Sequence, residues 1–507
     1  MKHKLFNKNI LLPILSSLLL CVSFFTDFGA ILIFVSLVPL FLTLSPNTKV
    51  VKLFYQSFLT TFIFIGACLI FWVLTNFHLT SLTFLGIFLV GLFCYIFYLF
   101  FFFIWLLLSH YLFHRTPLGL AIFAIPALWA LIEFCRVALY PYLLFSGPWY
   151  QLGVSLAPWP IFIQITSLIG LPGLSFFIVL VNVLIYILII SHRKIYLLYA
   201  AIIIFSLTTF GFVTIHNRTN AHDSEYINIL IMQPAVDRGQ LESDDNMEKF
   251  IRDSMKKVEK TNKIDLIVWP EGVLSKPPGL ILWIQDTVQE LVDFYNIALL
   301  TGSPDVVSFK DTVSIRNSAL LFIPGMSEPY PYHKEYLVPF GEYWPFPSSW
   351  LNIDERVNPH GAILPPAPCL KLQDIEFGTS LCYEAIFPYH ALRLTRDGAL
   401  FLVQILDEYY FNLFGREQLL RHATFRAVET NRWVVRCSNT GISTFISPAG
   451  KLINKLPADI PGMTSLQIPI KNNLTLYTRH PNLFIVICAA YLLFVFVYRF
   501  IPFPAKE

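Results

Sequence analysis

The chain reads as an α-helical transmembrane bundle of about eight spans that carries a large α/β domain of layered-sandwich type. Three observations predict this. Hydrophobic residues fill 55% of the 507 positions and charged residues only 14%, where a soluble domain carries about 25%; mean hydropathy is +0.61. Apolar runs of bilayer length, about 20 residues each, crowd the first 219 positions and recur once near the end. Residues 220–475 instead alternate strand and helix patterns.

Spans are expected near 10–25, 29–45, 53–76, 82–109, 118–138, 160–189, 195–214 and 482–501. The first two are short and suit a helical hairpin turning at Asp27. The fourth and sixth are long, which tilt or an extension past the lipid accommodates. The start, MKHKLFNKN then ILLPILSSLLLCVSFF, has the charge and apolar layout of a secretory signal. No small-x-small cleavage site follows, and Leu20 is too large to precede a lipidated Cys, so an uncleaved span is expected. The division is then 1–219 as a seven-span bundle, 220–475 as the sandwich domain, and 476–507 as a last span with its tail.

Loop charge sets the expected orientation. Lys2, Lys4, Lys8, Lys49, Lys52, Arg115, Arg193, Lys194, Arg499 and Lys506 all fall on one side of an alternating thread. The loops near Asp27, His78 and 139–158 are almost free of Lys and Arg. Basic loops stay cytoplasmic. Both termini are therefore expected in the cytoplasm and the sandwich domain in the periplasm of a double-membraned bacterium.

Within the domain, YINILIMQPAV is a strand ended by Pro234, and 244–260 is helical. IDLIVWPEG is a second strand, a helix near 280–296 precedes IALLTG, and SIRNSALLFIP follows. FGTSLCYE runs from strand into turn, with a helix near 386–397 after it. ALFLVQIL is a strand, 415–430 a helix, and RWVVRCSNTGISTFISPAGKL a hairpin turning at Asn439–Gly441. Buried β-branched runs alternating with amphipathic helices define a layered α/β arrangement.

A net charge of +3 without a long basic run excludes nucleic acid as a partner. The eight Cys show no CxxC and no Cys/His ligand spacing, so no metal site is expected. A Cys369–Cys437 disulfide is one open alternative to free thiols. Cys382 stands apart because it ends a strand where a turn exposes it, with the polar-capable Tyr383 and Glu384 next. An acid, Glu271, and an ammonium, Lys334, end two other strand-like segments. A free thiol is only a few per cent ionised at neutral pH. Glu271 is placed to take its proton, and Lys334 to stabilise the thiolate and an oxyanion. A thiol nucleophile beside a bilayer suits a lipid-derived acyl group.

The three stretches LIVWPEG, YHKEYLVPFGEYWP and FGTSLCYEAIFP resemble the nitrilase superfamily, and with seven spans before them and one after they resemble its membrane-embedded branch, the apolipoprotein N-acyltransferases. The resemblance covers essentially the whole chain. It implies a nitrilase-type αββα sandwich with Glu271 as general base, Lys334 as cation and Cys382 as nucleophile. It implies that Glu342 orients Lys334 and that Tyr383 and Glu384 shape the surroundings of the nucleophile. It further implies a phospholipid acyl donor, a diacylglyceryl-modified apolipoprotein acceptor, a Cys thioester intermediate, an inner-membrane location, and no cofactor. The rival classes are a membrane-tethered amidase or nitrilase-like hydrolase and a non-catalytic scaffold or transporter.

Two segments depart from the family. Where it carries NDxWF, this chain has LDEYYF: Asp407 stays, Leu406 replaces Asn and Tyr409 replaces Trp. After the first domain strand it has QPAVDRGQLE in place of QGNI with a later Trp. Trp344 in VPFGEYWPFPSSW, and Asp407, Tyr409, Tyr410 and Phe411, are candidates for a lipid-facing lid or substrate contact, with ordinary packing the alternative. Glu133 and Arg136, one turn apart in the fifth span, are either functional or a mutual pair. Arg416, Arg421 and Arg426 are expected on a solvated or headgroup-facing helix surface.

Overall fold

The computed structural model describes residues 2–76, 84–140, 147–219, 225–236, 241, 243–256, 258, 263–278, 281–309, 312–339, 342–343, 366–409 and 411–498. It divides into a helical unit, Met1–Asn217 with His480–Glu507, and a sandwich unit, Arg218–Arg479.

Numbered along the chain, the helical unit contains α1 (Lys2–Phe25), α2 (Val38–Phe41), α3 (Val50–Asn76), α4 (Phe84–Arg115), α5 (Leu118–Ala138), α6 (Pro160–Ile163), α7 (Thr166–Ser191), α8 (Ile195–Thr219) and α14 (Leu483–Tyr498). Among the described residues six of these, α1, α3, α4, α5, α7 and α8, are long and apolar enough to cross a bilayer, and Phe28–Phe41 and Leu483–Tyr498 are shorter apolar stretches. Bare apolar side chains such as Phe93 and Phe100 on α4, Phe205 and Phe212 on α8, and Val486 on α14 mark lipid-facing surfaces. Returning from the far end of the chain, α14 seats Ile485 and Cys488 against Ala127 and Ala130 of α5.

The second expected span is not one helix. A 3-10 turn over Phe28–Phe34 stops, and α2 begins at Val38 with Pro39 in its first turn. A break in apolar surroundings needs its backbone groups satisfied from within. Asn182 of α7 does this, donating to the Ile33 carbonyl at 2.9 Å and accepting from Leu37 N at 2.8 Å. Ser16 Oγ accepts from Leu40 N at 2.9 Å. The stretch expected at 160–189 likewise splits into α6 and α7, with a left-handed Gly170 (φ 68°) kinking the start of α7.

In the sandwich unit one sheet comprises β1 (Tyr226–Gln233), β2 (Leu266–Val268), β3 (Ala298–Phe309), β4 (Thr312–Phe322), β5 (Tyr330–His333) and β12 (Gly462–Pro469), ordered β12-β1-β2-β3-β4-β5. The other comprises β6 (Leu370–Leu372), β7 (Ile375–Leu381), β8 (Leu402–Leu406), β9 (Val434–Ser438), β10 (Thr444–Ile446) and β11 (Leu452–Ile453), ordered β11-β10-β9-β8-β7-β6. The central strands β1, β2 and β3 run parallel, as do β7, β8 and β9. Alternation along each strand sends side chains to opposite faces. Ile229, Ile231, Val268, Leu300 and Leu321 therefore meet Phe377, Leu381, Val403, Ile405 and Val435 in a core between the sheets. The outer face of the first sheet packs on α9 (Asp244–Lys256) and α10 (Leu282–Tyr295), through Leu230, Ile267, Met247, Ile251 and Val288. The second sheet packs on α11 (Pro388–Arg396) and α12 (Leu413–Thr430) through Leu402, Val434, Leu394 and Ala423, and α13 (Leu476–Arg479) lies beside these helices. The order helix, sheet, sheet, helix is the αββα sandwich.

Candidate active site

The chemistry-bearing residues sit just past the C-terminal ends of strands. Glu271 follows β2, Lys334 follows β5, Cys382 follows β7 and Asp407 follows β8. Open α/β sheets gather ligands at such edges.

Cys382 opens a 3-10 turn, Cys382–Ile386, with φ at 47°. A non-glycine residue in the left-handed region is strained, and such strain collects at active sites. The strand delivers the residue and the tight turn aims its side chain off the strand end.

Glu271 is buried and held on both oxygens: Asn317 Nδ2 donates to Oε1 at 2.7 Å and the Asp407 backbone N–H to Oε2 at 2.9 Å. The same Asn317 amide donates to Glu342 Oε1 at 3.0 Å. Glu342 Oε1 accepts from Lys334 Nζ at 2.6 Å, and its Oε2 from Val338 N at 2.9 Å. The Lys334 backbone N–H donates to the Asn317 carbonyl at 3.0 Å. Asn317 on β4 thus bridges two carboxylates and fixes the start of the lysine loop. Sequence inspection passed it over, because within SIRNSALLF it reads as one of three successive polar residues. Gly302 of β3 also escaped notice: a Cβ there would lie 2.5 Å from Glu271 Cα. Only hydrogen fits between that strand and the acid's backbone.

The charges act on one another. Burial pushes the Glu271 carboxyl above its usual range, with Glu342 and Asp407 adding to the rise and Lys334 and Asn317 opposing it. Burial, then Glu271, raises the Cys382 thiol well above its usual range, with Lys334 pulling the other way. For Lys334 burial favours the neutral amine, but Glu342, Glu271 and Cys382 more than offset it, so its pKa is raised. The surroundings thus favour the neutral form of the thiol, the charged form of the lysine and a more basic Glu271. A thiol in that state needs a base at the moment of attack, and a buried carboxylate with raised pKa is a suitable one.

The flanking residues have distinct surroundings. Tyr383 packs edge-on against Phe387, ring centroids 5.1 Å apart. Fully buried Glu384 accepts on Oε2 from Leu381 N at 2.7 Å and Tyr332 Oη at 3.0 Å, and on Oε1 from Glu335 N and, at 3.1 Å, Tyr336 N. It ties the residue before the thiol to the residues after Lys334. Asp407 is buried and caps Tyr409 N at 3.2 Å. Tyr409 is exposed, Phe411 half-buried, and Asn412 caps α12 through Gly415 N at 2.9 Å. Trp344 and Tyr410 lie outside the described residues.

Other expectations need correction. Arg416 and Arg426 are buried and face inward: Arg416 bonds the Glu408 carbonyl at 3.2 Å and Asp459 at 2.7 Å, and Arg426 bonds the Ile386 carbonyl at 2.9 Å and Glu429 at 2.7 Å. Arg421 is buried too. Their helix is packed on the sandwich, so its cations serve partners rather than solvent. All eight Cys are free; Cys437 donates to the Val268 carbonyl at 3.2 Å and Cys369 to the Leu394 carbonyl at 3.4 Å. Glu133 and Arg136 form no ion pair with each other among the described contacts. Glu133 accepts from Leu152 N at 2.9 Å and Trp129 Nε1 at 2.7 Å, and Arg136 donates to the Trp149 carbonyl at 2.8 Å.

A family model described as the apolipoprotein N-acyltransferase N-terminal domain matches residues 16–184, and one described as carbon-nitrogen hydrolase matches 233–472. The apolipoprotein N-acyltransferase of Chlorobaculum tepidum is 25% identical, covering 96% of this chain and 95% of its own. That of Rickettsia bellii is 26% identical over 72% of this chain and 74% of its own. Among solved structures, a member of branch 10 of the nitrilase superfamily from Saccharomyces cerevisiae is 19% identical, covering 49% of this chain and 91% of that one at a TM-score of 0.37. The two models together match most of the chain, and the Chlorobaculum tepidum relative is matched along nearly all of its length: the chain belongs to the apolipoprotein N-acyltransferase family.

Proposed function

We propose that this N-acyltransferase takes an acyl chain from a membrane phospholipid, carries it as a thioester on Cys382, and delivers it to the α-amine of a diacylglyceryl-modified N-terminal Cys of an apolipoprotein. Residues 1–219 and 476–507 are the membrane anchor and 220–475 the catalytic domain. Orientation follows loop charge, with both termini cytoplasmic and the catalytic domain periplasmic in the inner membrane.

The carrying observation is the continuous hydrogen-bonded path Glu271–Asn317–Glu342–Lys334, buried at its two ends and half-buried between them, whose end groups both act electrostatically on Cys382. As Sγ attacks the ester carbonyl, its proton passes to Glu271. Lys334 faces the growing negative charge, and a single fixed donor of that kind is typically worth about 10²–10³ in rate. Collapse breaks the ester C–O bond, and the proton on Glu271 goes to the departing lysophospholipid oxygen. The α-amine then attacks the thioester, Glu271 takes the surplus amine proton, and the sulfur leaves as a thiol again. A thioester is more electrophilic than the ester it came from, and the amide formed is more stable than either. Burial around Glu271 and Lys334 restricts the water that would hydrolyse it.

The decisive test is intact mass of the purified protein after incubation with a defined phospholipid alone. An acyl adduct on Cys382, removed by hydroxylamine and absent in Cys382→Ser, is expected. An adduct on another Cys overturns the mechanism. Turnover of small amides without phospholipid would favour a hydrolase instead.

A further inference from the structure

Behind the lysine loop lies a second buried charged cluster that the proposed chemistry does not use. It consists of Glu335, Glu384, His390 and Tyr332, all essentially without solvent contact, with Arg393 at its rim. His390 stands on α11. Its Nε2 lies 3.2 Å from Tyr332 Oη and 3.3 Å from the Thr379 carbonyl, and its Nδ1 lies 3.5 Å from Glu335 Oε2. One turn on, Arg393 binds Glu335 Oε1 and, at 3.0 Å, the Ala367 carbonyl.

Proton assignment follows from these partners. A carbonyl oxygen only accepts, so Nε2 carries a hydrogen. Tyr332 Oη spends its own hydrogen on Glu384 Oε2, so toward the imidazole it too can only accept. Nδ1 faces a carboxylate at ion-pair distance, which again favours N–H. Both ring nitrogens therefore face acceptors, and the imidazolium is the form that fits. Charge agrees. Glu335 and Glu384 bring two buried negative charges and Arg393 one positive; a charged His390 completes neutrality, and unpaired buried carboxylates are strongly disfavoured.

We propose that His390, as an imidazolium between Glu335 and the Tyr332–Glu384 pair, is a positioning residue that locks the Cys382 turn to the Lys334 loop. The connection is short: Glu384 holds Leu381 N on one side and Glu335 N and Tyr336 N on the other. Glu335 follows Lys334 directly, so a shift of either carboxylate moves the ammonium against the thiol. The inference rests on the Cys382 and Lys334 assignment above.

The groups facing His390 are Glu384 on the turn, Glu335 and the Tyr336 ring beyond β5, Tyr332 on β5 and Arg393 on α11. From α12 and α13, Glu429 and Tyr477 act instead on the neighbouring Tyr389 and on each other. Burial lowers the His390 pKa, and Glu384 and Glu335 more than offset this, leaving it raised, while Arg393 pulls it down. A raised folded-state value means the lock is complete below the ordinary His value near 6.5 and is lost as pH climbs through the higher folded value.

The test measures the single-turnover rate of Cys382 acylation by phospholipid against pH, in full-length protein in detergent, for wild type, Glu335→Gln, Arg393→Gln and His390→Gln. The alkaline limb should move to lower pH in Glu335→Gln, which removes an anion from His390. It should move to higher pH in Arg393→Gln, which removes a cation. In His390→Gln that limb should vanish and the plateau rate fall on the order of 10-fold, since small misplacements of reacting groups are expensive in rate. Opposite shifts from two neighbours are not produced by simple loosening of the fold. If His390→Gln does not fold, the two partner variants still decide. Limbs that stay put, or move together, overturn the proposal. Absence of any adduct on wild-type Cys382 would instead sink the functional assignment first and overturn this proposal with it, an outcome distinct from adducts whose pH limbs fail to shift.

Discussion

The two units bury charge for different ends. In the helical unit Glu133 and Arg136 sit one turn apart on α5, yet each bonds the backbone of the 149–152 loop, Glu133 also accepting from Trp129 Nε1. Tyr98 Oη joins them on the Trp149 carbonyl at 3.0 Å, and the Arg136 guanidinium lies 4.6 Å from the Tyr98 ring centroid. The loop needs holding, because Tyr150 within it is left-handed at φ 57°. In the sandwich unit the charges address one another: Lys334 with Glu342, Glu335 with Arg393, Arg436 with Glu408. The first arrangement uses an acid and a base as hydrogen-bonding hardware. The second uses them as charges, and only the second should respond strongly to neutralisation at constant shape.

Lys334→Met is the largest expected effect. It keeps length and apolar stem while leaving buried Glu271 and half-buried Glu342 without their cation. Acylation of Cys382 should fall by about 10²–10³, and because Glu342 is half-buried the stability loss should lie at or below the low end of the ~3–5 kcal/mol that breaking a fully buried pair costs. Single-turnover acylation and the thermal midpoint check this together. An unchanged midpoint with lost activity would show that water, not Lys334, compensates Glu342.

Much of this was readable beforehand, and the remainder shares one cause. Glu271, Lys334 and Cys382 stand in compact strings whose turn residues, Pro270–Glu271–Gly272 and Leu381–Cys382–Tyr383, reveal a strand end. The alternating strands and the hairpin from β9 to β10 follow from periodicity alone. Asn317, Gly302, Glu335 and His390 were not legible, because their importance lies in partners 25 to 58 residues away, as in Asn317–Glu342 and Glu335–Arg393. The break at Val35–Leu37 was hidden for the same reason: its seal, Asn182, is 145 residues downstream of Leu37. Hydropathy reports what lipid tolerates and is blind to a backbone group met from another helix.

Gly302→Ala comes next in size. The added methyl meets backbone at 2.5 Å rather than a side-chain tip that can swing away, so β3 and the Glu271 segment must part. Overpacking of this kind costs about 1–3 kcal/mol, and displacing a base by a fraction of an ångström should lower acylation roughly 10- to 100-fold. Binding of phospholipid should change far less than kcat. A variant with normal kcat but raised KM would place Gly302 at the substrate rather than behind the base.

The smallest effect sharpens the contrast most. Glu133→Gln removes the buried acid but keeps an oxygen where Oε1 now accepts from Leu152 N and Trp129 Nε1. If the acid is hardware, acylation should stay within about threefold of wild type and the thermal midpoint should barely move. Glu133→Leu, of similar bulk, has no acceptor and strips the partner from buried Leu152 N and half-buried Trp129 Nε1, a loss of about 1–3 kcal/mol for a fully buried donor. Its midpoint should drop clearly below that of Glu133→Gln. Equal losses in both variants would mean that the charge itself matters in the helical unit, and the distinction between the two units would fail. Retention in Gln with loss in Leu would show that a membrane carboxylate is kept here for the lone pair it offers a loop.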